Sequence, residues 1–75
     1  MNKEEAWEKV SKLSNVIEIL NSVKSEEIGD LRKAFYTGFS DGNSMKNYDK
    51  FLRSDNKMSI NFYVMGLNFK TKGII

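Results

Sequence analysis

The chain has 75 residues, 40% hydrophobic and 12% aromatic, with a formal net charge of +2; this is a globular composition and a single domain, 1–75, short for a self-sufficient core. It contains no Cys, His or Pro, which excludes a disulfide-stapled mini-protein and a thiolate zinc module, and argues against an enzyme, a metal, a cofactor or a small-molecule substrate. No apolar run nears the roughly 20 residues that span a bilayer and no signal-peptide core follows the start, so a cytoplasmic binding protein with no membrane partner is expected.

The first predicted element is one amphipathic helix over 3–23. Ala6, Val10, Leu13, Ile17 and Leu20 recur at alternating steps of four and three. Asn2 and Glu5 have capping-box spacing, and Glu4 and Glu5 suit a helix N-terminus. Trp7, Val16, Ile19 and Val23 widen the apolar face. Val10 and Ile17 occupy heptad position a, and Leu13 and Leu20 occupy d, the pattern of a parallel two-stranded coiled coil. Val10, Leu13, Ile17 and Leu20 are therefore the candidate oligomer interface of a homodimer. Packing inside a small bundle explains the same stripe, and both readings stay open.

Ser25 is a candidate cap for a second helix over 26–41, striped by Ile28, Leu31, Phe35 and Phe39. Gly38 inside it costs about 1 kcal/mol relative to Ala, which close approach by a neighbouring helix would offset. Gly42 is a natural C-terminal stop. Asp41 sits unfavourably at the negative end of this helix and calls for a partner, Lys46 or a loop N–H. Residues 43–54 read as an ordered connection, pinned by Tyr48, Phe51 and Leu52, with Lys46, Lys50 and Arg53 pointing outward.

Residues 55–71 admit two readings. Met58, Phe62, Met65 and Phe69 step by four, three and four, which is helical, with Ser54 or Asp55 as cap and Lys70, Lys72 and Gly73 suiting its end. Ile60, Phe62 and Val64 alternate, and Met65-Gly66 could turn a hairpin. The expected fold is thus an all-α, three-helix domain (3–23, 26–41, 55–71), alone or as a dimer. The alternative is α+β with a C-terminal β-hairpin. The likeness of Ala34–Phe39 to Phe62–Leu67, each with a ring three residues before a Gly, favours the helix. It makes Gly38, Gly42 and Gly66 the candidate helix-packing residues.

Charge is unevenly placed. Residues 1–34 carry six Lys/Arg against seven Asp/Glu, whereas residues 35–75 carry six Lys/Arg against Asp41, Asp49 and Asp55. Lys46, Lys50, Arg53, Lys57, Lys70 and Lys72 are the candidate phosphate-contacting cations, and Tyr36, Tyr48 and Tyr63 the candidate rings for base stacking. Phe35, Phe39, Phe62 and Phe69 are better suited to the core.

Ala34-x-x-x-Gly38-Phe39-x-Asp41-Gly42, then Asn47-Tyr48-Asp49, then an aromatic followed by Gly66, resembles the ribosome modulation factor family. Those are short, basic bacterial or phage proteins of two helices and a linker that bind the ribosome near ribosomal RNA. Ala34, Gly38, Asp41 and Gly42 match the family's first helix, Tyr48 its linker and Gly66 its second helix. Asn47 stands where the family usually has Pro, and Leu67 near where it often has Trp. The resemblance implies a small non-catalytic RNA- or ribosome-binding regulator. The competing expectation is a phage-encoded inhibitor or adaptor that binds a host enzyme (a toxin, nuclease or defence factor), directly or through bound RNA, using the apolar face of 3–23 or the ring-rich second half.

Overall fold

The computed structural model describes residues 1–73. Among them are five α-helices and no strand: α1 (Lys3–Val10), α2 (Ser14–Ser22), α3 (Ser25–Asp41), α4 (Tyr48–Leu52) and α5 (Ser59–Lys72), with a 3-10 turn at Gly42–Ser44 after α3. The fold is all-α, and Met65-Gly66 lies in the middle of α5 rather than at a hairpin turn.

The single helix expected over 3–23 is broken into α1 and α2. Asn2 closes the capping box with Glu5 at the start of α1, as its spacing suggests. The helix then ends at Ser11, whose hydroxyl turns back onto the Glu8 carbonyl. The next two bonds, Lys12 N–H to Lys9 O and Leu13 N–H to Val10 O, span only three residues, and Leu13 is extended at φ −70°, ψ 138°. The physical reason lies in the periodicity. Val10 and Val16 are both fully buried, yet six residues at 100° each would set them about 120° apart on a straight helix. The break re-aims α2 so that both reach the core. It also dismantles the heptad seam: Val10 is buried in its own chain, while Leu13 and Ile17 are each 41% exposed and Leu20 is half-buried. No coiled coil can run along 3–23.

Two predicted caps are also absent. α3 follows Lys24 without a side-chain cap, Ser25 being its first residue. At α5 the turn is made by Asn56, whose side chain accepts from Met58 N–H, rather than by a cap from Ser54 or Asp55. Leu52 does not pin the connection; it is 52% exposed, and the half-buried Tyr48 and Phe51 do that work.

The core is the α3–α5 pair. Leu31, Ala34, Phe35 and Phe39 of α3 meet Phe62, Tyr63 and Leu67 of α5, and α1 adds Ala6, Val10 and the half-buried Trp7. The Trp7 ring packs edge-on to Phe35, with centroids 5.5 Å apart, and lies 5.9 Å from Phe62. Gly38 and Gly66 sit where the helices cross. A Cβ on Gly38 would overlap the Tyr63 carbonyl oxygen and lie 2.9 Å from its carbon; one on Gly66 would overlap the Phe35 carbonyl oxygen and lie 2.7 Å from Phe39 N. Backbone therefore packs directly on backbone, which offsets the cost of two helical glycines. The helices pass in the same sense: Gly38 meets Tyr63 and Leu67, and Gly42 meets Lys70 and Thr71. A parallel pair needs a return segment. The 3-10 turn and α4 supply it, both lying against α5.

Candidate nucleic-acid interface

The return segment is fixed by a buried polar node. Asp41, at the end of α3, accepts the Tyr63 hydroxyl proton at 2.5 Å. The same carboxylate accepts the Asn47 backbone N–H at 3.1 Å and the Asn47 side-chain amide at 3.0 and 3.3 Å. The Asn47 N–H is shared with the Tyr63 oxygen, at 3.2 Å. The partner that Asp41 requires is thus a loop N–H, with Asn47 and Tyr63 side chains; Lys46 contributes only through its charge. Burial raises the Asp41 pKa, but hydrogen bonds from Tyr63 and Asn47 outweigh it, and the net shift is downward. Burial, reinforced by the bond to Asp41 and its negative charge, pushes the Tyr63 phenol up to about 12.

This node removes Tyr63 from the candidate stacking rings. Its side chain is fully buried, with Phe51 stacked 4.9 Å away and Tyr48 edge-on at 6.4 Å. A ring enclosed in this way cannot receive a base. Tyr48 and Tyr36 are half-buried, and the Lys3 ammonium lies 4.9 Å over the Tyr36 ring. Gly42 closes α3 at φ +52°, a backbone that an L side chain rarely adopts, while its N–H bonds back to Gly38.

Lys46, Lys50, Arg53, Lys57, Lys70 and Lys72 are all exposed. Arg53 pairs with Asp49 at 3.8 Å, both largely in water, a contact worth little. Lys70 lies 4.9 Å over the Phe39 ring, its stem along apolar surface. The cations do not form one cluster. Lys50, Arg53 and Lys57 precede α5 in the chain, Lys70 and Lys72 belong to its last turn, and a helix of 14 residues sets those ends about 20 Å apart.

A groove of about 250 Å³ opens between α3, α4 and the start of α5. Asp30, Lys33 and Thr37 line it from α3, and Lys50 and Phe51 from α4. Ser54, Asn56 and Ser59 line the end nearest α5. Sequence reasoning singled out Lys50 but missed Lys33, Thr37 and Ser59. A signal was present: Asp30, Lys33 and Thr37 follow at steps of three and four, a polar stripe beside the apolar stripe of Leu31 and Phe35. Among the described residues no His, Cys, Asp or Glu cluster suited to a metal ion occurs, and no helix is long and apolar enough to cross a membrane. Comparison of the chain with protein-family models, curated proteins and solved structures gives no match.

Proposed function

We propose that the protein is a small non-catalytic RNA-binding regulator that takes a single-stranded or looped RNA against the surface built by α3, α4 and α5. One observation carries this reading. Residues 35–73 expose six cations, and of their three carboxylates Asp41 is withdrawn into the node with Tyr63, leaving Asp49 and Asp55 outside. The groups this half presents to solvent are therefore six cations against two carboxylates, which suits phosphate contact. The resemblance of Ala34–Gly66 to the ribosome modulation factor family makes ribosomal RNA the first substrate to try, in the cytoplasm of a bacterium or of a cell infected by a phage. The test is RNA binding across a salt series. Contact through all six cations gives log affinity against log salt a slope of roughly −4; no binding at low salt overturns the reading.

A second reading is favoured by α2. Leu13 and Ile17, one turn apart and each 41% exposed, give that helix an apolar outer face. That face suits a second copy of the chain or a host protein to be inhibited. Light scattering distinguishes a homodimer, and a pull-down that survives nuclease distinguishes a host protein from an RNA-borne one.

A further inference from the structure

The groove between α3, α4 and the start of α5 contains groups that the core does not use. Ser59 is only 5% exposed and lines this groove. Its hydroxyl makes no hydrogen bond among the described residues, yet no sealed side-chain oxygen there lacks a partner. The Ser59 hydroxyl therefore opens onto the groove. At the same end, α5 begins without a side-chain cap. Met58 N–H goes to the Asn56 side chain and Ser59 N–H to the Asn56 carbonyl, which leaves the Ile60 and Asn61 N–H groups as free donors at a positive helix end. Lys33 and Lys50 line the groove from two different helices, and neither forms an ion pair among the described residues.

We propose that this groove is a phosphate site, held by Lys33, Lys50, the Ser59 hydroxyl and the first free N–H groups of α5. Resting on the RNA reading above, its occupant is one backbone phosphate of the bound strand. Two ammonium groups, a hydroxyl donor and a helix N-terminus are complementary to a tetrahedral anion. Asp30 lines the same groove and opposes the anion, which weakens binding there. Thr37 does not compete for the ligand with its proton, since its hydroxyl already donates to the Lys33 carbonyl.

The experiment is an amide NMR titration of the full chain with inorganic phosphate, and in parallel with a short oligouridylate. Phosphate is expected to move Ser59, Ile60 and Asn61 first. Lys33→Gln and Lys50→Gln should each weaken it about two- to fivefold, the range of a partly exposed ion pair. Asp30→Asn should tighten it. Ser59→Ala should weaken it while leaving the melting temperature level or raised, because Ala is the better helix former. Phosphate shifts absent from the start of α5, or unmoved by Lys50→Gln, overturn the site. Oligouridylate that binds without touching these amides also overturns the site and leaves the RNA reading standing. Phosphate that binds here while oligouridylate binds nowhere upholds the site and overturns the RNA reading.

Discussion

Replacing Tyr63 by Phe removes one oxygen from a fully buried ring and leaves the ring's neighbours, Phe51 and Tyr48, in place. The main loss is the 2.5 Å donation to the Asp41 carboxylate; the Asn47 N–H that the Tyr63 oxygen shares at 3.2 Å keeps its bond to Asp41. Hydrogen bonds to charged groups contribute about 1.5–3 kcal/mol, and leaving a buried acceptor short of a donor adds a desolvation cost. Asp41 keeps two donors on Asn47, the backbone N–H and the side-chain amide, so the lower part of that range applies, about 1.5–2 kcal/mol. In a domain of this size 1 kcal/mol moves the melting temperature by about 4–8 °C; a fall of roughly 6–16 °C is expected. Urea titration gives the free energy directly, and an unchanged m-value shows that only stability has moved. Asp41→Asn and the double variant complete a cycle whose coupling should exceed about 1 kcal/mol, as for residues sharing one network. A loss below about 0.5 kcal/mol for Tyr63→Phe, the level of an ordinary surface substitution, would refute the claim that this node anchors the return segment.

Gly38→Ala and Gly66→Ala should each destabilise by at least about 1–3 kcal/mol, the cost of overpacking, because the new methyl meets backbone that cannot rotate away; circular dichroism melts decide it. Gly29→Ala should do the opposite: this glycine is exposed within α3 and a Cβ there meets nothing within 4 Å, so a gain of about 0.5–1 kcal/mol is expected. A loss would show that α3 is not helical there. The pH dependence has a defined sign. Tyr63 is raised from 10.0 to about 12 on folding, so its contribution is complete below pH 10 and is lost as pH rises through 12. Asp41 is lowered from 3.8, so its contribution is present above that pH and is lost as pH falls through the folded value. The stability difference between the native chain and Tyr63→Phe should therefore be level near neutrality and shrink above pH 10; a difference that persists unchanged to pH 12 contradicts the assignment.

The fold was legible where one periodicity served one core. Leu31 and Phe35 in α3, and Phe62 in α5, lie on the stripes that spacing picks out, and Gly42 stops α3. It was illegible at 11–13, where the apolar steps run on through Leu13 without interruption. No Pro or Gly marks the break there. What breaks the helix is a tertiary demand, the burial of Val10 and Val16 together; their six-residue spacing is visible, but it reads equally well as a wider apolar face on an unbroken helix. The unmarked start of α5 failed for a related reason. Asn56 organises that turn through its own backbone-directed side chain, a role as natural to Asn as capping is to Ser54 or Asp55.

The site was less legible than the fold, because residue type does not carry placement. By type, Tyr63 stands with Tyr36 and Tyr48 as a polar-ended ring able to tolerate exposure. Its polar end is instead satisfied inside, by a carboxylate 22 positions away, and no spacing rule connects those two residues. The unfavourable position of Asp41 at a helix C-terminus was the readable half of that pair: it demanded a partner, and the Asn47 N–H that meets it lies in the next loop. The same exchange shapes the surface. Drawing Asp41 inward to hold the return segment takes its carboxylate off the surface while its charge remains, so Asp49 and Asp55 are the carboxylates this half exposes. Asp41→Asn separates the two effects: it should weaken the fold without weakening RNA binding at temperatures where the chain stays folded, and reduced affinity of the folded variant would show that the carboxylate positions Lys46 and Lys50 rather than merely leaving the surface.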